Sequence, residues 1–173
     1  MGKWVYIGEG STDPVAVYDC RADAVWSVRG AGDLQLPPRV LTFTQTSTQL
    51  EARSFKSQML LLKLHAKLVT AGLPYHFVVF NGRITRVYQL HDVGAWLAMG
   101  RATPEECVIA LWGDYTERDP TQAAVIRLGR LARALEHDAG GSLHRIWDGK
   151  GGLRRTVGRH LRDALWSYNL IGK

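Results

Sequence analysis

The sequence predicts an α/β fold in which one mixed central β-sheet is flanked by about three helices. Three observations lead there. Short β-branched and aromatic segments recur along the chain, each about as long as a strand. Three longer segments repeat their apolar residues at helical spacing. The two kinds of segment alternate, as expected for helices packed on a sheet. With 173 residues, 46% of them hydrophobic, the chain suits a single domain spanning 1–173.

Taken in order, 3–7 and 13–18 read as strands with Gly8-Glu9-Gly10-Ser11 as the turn between them. Residues 30–38 read as loop. The whole of 1–38 could add an edge to the sheet, form a dimer contact or act as a partner arm, and the sequence leaves these open. Arg39 to Thr44 is the expected central strand. Thr48-Gln49-Leu50-Glu51 has the Ser/Thr-x-x-Glu spacing in which side chains and backbone donors at a helix start satisfy one another. A first helix is expected from there to about Ala71, ending at Gly72. Its apolar face comprises Leu50, Phe55, Met59, Leu62, Ala66 and Val69, and His65 reads as a packing residue within it.

Strands at 75–80 and 84–89 are joined through Asn81-Gly82, a pair that favours a tight hairpin turn, and 107–112 is a further strand. Asp119-Pro120-Thr121-Gln122 opens a second helix, with Asp119 as cap and proline in the first turn. Val125, Leu128, Leu131, Ala132 and Leu135 give that helix one apolar stripe, and Gly140-Gly141 closes it. Leu143 and His144 lie in a last extended piece and Gly149 to Gly152 is a glycine-rich loop. A third helix carries Val157, Leu161, Leu165 and Tyr168 on one side.

Composition narrows the function classes. No basic-then-apolar leader opens the chain, and the longest apolar block, Met59 to Leu64, falls far short of the roughly 20 residues a membrane span needs. The expectation is therefore a protein without a signal peptide, away from membranes, in the cytoplasm of a bacterium or a phage-infected cell. Cys20 and Cys107 are too few for a disulfide framework and form no Cys-x-x-Cys pair, so they read as buried thiols. The net charge of +6 gathers late in the chain, where 144–173 hold seven basic residues against Asp148 and Asp163. Such a tail attracts an anionic polymer, or it is a solvated helix face. Nucleic acid is the minority reading because no nucleic-acid motif accompanies the charge. There is no Gly-x-Ser-x-Gly elbow, no phosphate-cradling Gly-x-x-x-x-Gly-Lys and no His-Glu-x-x-His.

Three segments carry a resemblance. Leu73 to Arg83 reads Leu-Pro-Tyr-His-Phe-Val-Val-Phe-Asn-Gly-Arg. Asp92-Val93-Gly94-Ala95-Trp96 and then Val108-Ile109-Ala110-Leu111-Trp112-Gly113-Asp114-Tyr115 follow it. In that order they resemble the zinc N-acetylmuramoyl-L-alanine amidases of bacteria and phages and the related peptidoglycan recognition proteins, which read Gly-Tyr-His-Phe-Val-Val, Asp-Gly-Arg, Val-Gly-Ala-His and Ile-Gly-Ile-Ala-Leu-Val-Gly-Asp. The resemblance covers roughly residues 39–165, is strongest over 72–115, and implies an amidase-like mixed sheet.

It also implies a zinc site from which most ligands are missing. An amide-cleaving zinc needs three protein ligands and one open position for water. The family's first ligand lies in a His-His-Thr segment, matched here by Phe43-Thr44-Gln45-Thr46, so Thr44 or Gln45 stands in its place. The second lies in Gly-His-Arg-Asp, which Leu143-His144-Arg145-Ile146 resembles, and His144 is retained. The third precedes a Pro-Gly pair, where Arg155-Thr156-Val157-Gly158 offers no donor. The expectation is a chain with no cofactor. Zinc returns only if His160, Asp148, His137 or His91 supply relocated ligands.

By the same resemblance, Tyr75 matches a tyrosine that orients the attacking water or the oxyanion, and Arg154 matches a basic residue of similar role, although each could be a plain structural side chain. Trp96 replaces a histidine of the groove wall and either packs in the core or offers a stacking surface. The expected groove is thus Thr44, Tyr75, Trp96, His144 and Arg154. The expected function is non-catalytic binding of a peptidoglycan fragment, another anionic ligand or a protein partner. The alternatives are an active, endolysin-like amidase with relocated zinc ligands and a structural component of a virion or other assembly.

Overall fold

The strand Val40–Gln45 (β3) pairs in parallel on both flanks, with Glu106–Trp112 (β6) on one side and His144–Trp147 (β7) on the other. Around that centre the remaining strands are Lys3–Ile7 (β1), Val15–Asp19 (β2), Phe77–Phe80 (β4) and Val87–Gln89 (β5), in the order β1-β2-β5-β4-β6-β3-β7. The computed structural model describes residues 2–23, 38–68, 73–82, 84–91, 105–148 and 158–172. Pairing is antiparallel for β1 with β2 and for β4 with β5, and parallel elsewhere, so the sheet is mixed as the sequence predicts. Three helices are described, Phe55–Leu68 (α1), Gln122–Ala139 (α2) and Arg159–Ser167 (α3). None is long and apolar enough to cross a membrane.

Period-two alternation sorts the sheet's side chains into two cores. Leu41, Phe43, Ile109, Leu111, Phe77 and Val79 face α2 and α3, meeting Val125, Leu128, Leu131, Leu161 and Leu165. Val78, Phe80, Val108, Ala110 and Trp112 face the other way, beneath Leu62 and Ala66 of α1. Gln58 of α1 is fully buried because its amide accepts from the Tyr88 hydroxyl and donates to the Ala52 carbonyl. The first residues do form an added edge, since β2 docks in parallel on β5 and carries β1 with it.

Local signals and tertiary contacts compete at several boundaries. The first helix starts at Phe55 rather than near Thr48. Ser54 and Ser57 cap its first turn, the Ser54 hydroxyl accepting from the Ser57 N–H at 3.1 Å and the Ser57 hydroxyl accepting from the Ser54 N–H at 3.2 Å. Residues 46–53 stay outside the helix because the Trp112 indole donates to the Leu50 carbonyl at 2.8 Å and Thr46 pairs with Thr48 at 2.7 Å. Leu50 is therefore exposed rather than part of the helix's apolar face. The expected tight Asn-Gly hairpin is a longer loop, because Asn81 turns its side chain to the Tyr115 hydroxyl and to Thr121. Thr121, not Asp119, caps α2, accepting from the Ala124 N–H at 3.2 Å. Its far end is as expected: Gly140 takes the left-handed conformation at φ 81° that glycine adopts without steric cost. Tyr168 is exposed rather than on α3's apolar side, while Val69 and Val157 lie outside the described residues.

Both cysteines are buried, and burial pushes each thiol up to about 12. Neither thiolate forms at neutral pH. Native protein is expected to resist iodoacetamide at mildly alkaline pH and to take up two labels per chain once unfolded, read by mass spectrometry.

Candidate functional site

Strands β3, β4, β6 and β7 run parallel and end at the same edge of the sheet, the position at which open α/β sheets place their ligands. On the α1 side of β3 the residues are Thr42 and Thr44, paired in register with Val108 and Ala110 of the α1-facing core. Both threonines are buried, and the Thr42 hydroxyl donates to the Glu106 carboxylate at 3.2 Å. Gln45 points to the opposite face, in register with Leu111. Its carbonyl oxygen accepts from the Tyr115 N–H at 2.8 Å, and its amide donates to Ser47 at 3.0 Å and to Asp114 at 3.4 Å. The amide is fully committed to bracing the turn after β6.

That turn is built around Asp114. The hydroxyl and N–H of Thr116 donate to its carboxylate at 2.7 and 3.1 Å. These bonds, with the Gln45 amide and the nearby Arg118, hold the Asp114 carboxyl below the usual carboxylate range. Gly158, last of the four residues matched to the third ligand segment, also arrives here, so close that a β-carbon would lie 2.9 Å from Gln45 Oε1 and 2.8 Å from the Trp147 ring. The chain does bring the ends of β3 and β7 and the start of α3 together, as a three-ligand site requires.

His144 does not join them. It opens β7 opposite Val40, four positions before the level of Thr44, which is about 13 Å along the sheet. The residue level with Thr44 is Asp148, whose N–H donates to the Phe43 carbonyl at 2.9 Å and whose side chain follows Ile146 onto the α1 face. The motif match falls at the start of β7, whereas Thr44 is level with its end. Asp148, which the sequence offered only as a relocated ligand, is the residue beside Thr44 in that register. Trp96 and Arg154, the other two expected groove residues, lie outside the described residues.

Tyr75 is buried beneath α1, its ring stacked on His65 at 6.2 Å and 5° between planes. His65 in turn meets the Trp112 ring edge-on at 5.5 Å. The register here is fixed by His76, whose Nδ1 accepts from the Val108 N–H at 2.9 Å while its own N–H donates to the Val108 carbonyl at 3.0 Å. His65 Nε2 is buried without a hydrogen-bond partner among the described residues, and desolvation lowers its pKa. A lowered folded-state value means the unfolded chain binds more protons, so this contribution to stability is full above about pH 6.5 and is lost as pH falls below it. The unfolding midpoint of His65→Phe is expected to fall less than that of the parent between pH 7 and pH 5, measured by thermal melts.

The chemistry of the donor set decides what the site can hold. The end of β3 presents a buried threonine and a committed glutamine, Thr44 and Gln45. Of the other expected donors, His160 pairs with Asp119 at 2.7 Å and His137 with Asp138 at 3.4 Å, each a separate exposed pair. Among the described residues no three His, Cys, Asp or Glu side chains gather in a way that could hold a metal ion. The described residues do not fit zinc.

Solved structures share this fold. Drosophila PGRP-SD superposes with a TM-score of 0.67 at 14% identity, covering 85% of this chain and 90% of its own. Human PGRP-IBETAC, solved in complex with glycosamyl muramyl pentapeptide, gives 0.62 at 14% identity over 86% of this chain and 95% of its own. The endolysin N-acetylmuramoyl-L-alanine amidase LysCS from Clostridium intestinale URNW gives 0.55 at 16% identity over 85% and 91%. The chain has the amidase and peptidoglycan-recognition fold. No family model matches the sequence, and no curated protein does.

Proposed function

We propose that this chain binds a peptidoglycan fragment of the muropeptide class at the carboxyl ends of β3 and β7 and does not cleave it. The observation that carries the reading is the end of β3. Thr44 faces the groove where catalysis requires an imidazole, and Gln45 is spent on Ser47, Asp114 and Tyr115. The groove floor is then Thr42, Thr44, Ile146 and Asp148, with Trp96 and Arg154 as the expected wall residues. Solved structures of this fold in complex with tracheal cytotoxin and with a muramyl pentapeptide support the ligand class. Substrate release is not part of the reading, because the donor set lacks what an amide-cleaving zinc needs.

Calorimetric titration with a soluble muramyl pentapeptide tests it, alongside an assay for peptide released from N-acetylmuramic acid. The expected result is saturable binding, weakened by Thr44→Trp, and no release with or without added zinc. About one zinc per chain together with release of peptide would overturn it. If that zinc were then lost on Asp148→Ala, the endolysin-like alternative with relocated ligands would stand in its place.

A further inference from the structure

We infer that a second binding site, distinct from the groove above, lies along the outer edge of β7 and takes an extended acidic peptide that adds to the sheet as an eighth strand. Among the described residues β7 ends the sheet, and one side of its backbone has no neighbouring strand there. The N–H groups of His144 and Asp148 point inward, to the carbonyls of Arg39 and Phe43. By alternation the N–H and C=O groups of Arg145 and Trp147 point outward, and an edge of this kind is a template for another chain.

This edge is also one wall of a cavity of about 660 Å³. The opposite wall is Arg162 and Trp166 of α3 together with Asn169 to Gly172. The charge of the lining selects the peptide: it holds Arg145, Arg162 and His144 and no carboxylate. Arg145 is committed to Glu136, bonding it through Nε at 2.6 Å. Arg162 is the available cation, because its contacts to Asp163, at 3.2 and 3.3 Å, are those of an exposed pair worth little. Its guanidinium lies 4.9 Å over the Trp166 ring, which presents the charge beside an apolar surface. A strand of alternating acidic and apolar residues matches both features. Backbone pairing supplies the affinity, and the alternate side chains supply the choice of sequence.

The test uses a fluorescent peptide of alternating glutamate and valine, titrated by anisotropy into the full chain, with amide shifts followed by NMR. Binding is expected, with shifts centred on Arg145 and Trp147 and with affinity that falls when salt rises from about 50 to about 200 mM. Arg162→Glu is expected to weaken binding about tenfold or more with an unchanged unfolding midpoint, and Arg162→Gln to weaken it less. Arg162→Gln and the wild-type shifts decide the matter if the charge reversal disturbs folding. Equal binding of the lysine-valine analogue, tighter binding of a single-stranded oligonucleotide, or an affinity indifferent to both Arg162 variants would overturn the site. None of these outcomes bears on muropeptide binding at Thr44, so the two proposals fail separately.

Discussion

Gly113→Ala is expected to lower the thermal unfolding midpoint by about 10 °C. Gly113 sits directly after β6 at φ 138°, a conformation that residues with a β-carbon rarely adopt. The added carbon would meet the Tyr115 hydroxyl at 2.5 Å and its ring carbons at 2.7 and 2.9 Å. Tyr115 has nowhere to go. It is fully buried, its hydroxyl donates to the Trp112 carbonyl at 2.6 Å and accepts from Asn81 at 2.8 Å, and its N–H is held by Gln45. Backbone strain of about 1–3 kcal/mol and overpacking of about 1–3 kcal/mol act together, for about 2–6 kcal/mol in all. In a chain of this size each kcal/mol moves the midpoint by about 2–4 °C. Calorimetry or circular dichroism melts check it, and a shift below about 3 °C would mean that the turn yields more easily than the buried tyrosine allows.

Phe43→Ala is expected to cost as much by a different route. Phe43 is 1% exposed on β3, one strand in from the edge of the sheet, between Ile109 and Trp147, and packs toward α2 and α3. Removing the ring leaves a cavity that neighbours on three elements cannot fill, for about 3–5 kcal/mol. Urea titration is expected to show a lower midpoint with an unchanged slope, the mark of lost stability without a changed unfolded state. Phe43→Leu is the control, at less than about 1.5 kcal/mol. Trp4→Ala, on the outermost strand and 51% exposed, is expected to move the midpoint little.

These two positions also mark what sequence conveys. The strand around Ile109 could be read because burial on both faces leaves a continuous apolar run, the strand around Phe43 because its residues are mostly β-branched or aromatic, and the end of α2 because Gly140 is a strong local stop. The first helix could not be placed correctly. The Thr48 to Glu51 spacing is a genuine local signal, but the Trp112 indole, far along the chain, takes the Leu50 carbonyl that a helix would need. Asn81 shows the same competition, its side chain spent on Tyr115 and Thr121 instead of a tight turn. The docking of β2 on β5 had no local signal at all.

For the site, residue type was legible and position was not. Thr44 and Gln45, which the resemblance sets in the place of an imidazole, are plain in the sequence. That His144 begins β7 while Asp148 follows its end depends on register with β3, which only the assembled sheet defines.

The double parallel pairing of β3 has a consequence for how the protein is made. Both neighbours of this strand are translated long after it, so its apolar residues leave the ribosome with no partner strand to cover them. Contacts so distant in sequence close slowly. The nascent chain therefore stays open to degradation and to mispairing until β7 has been synthesised, and a product truncated before β7 would leave one side of β3 unpaired.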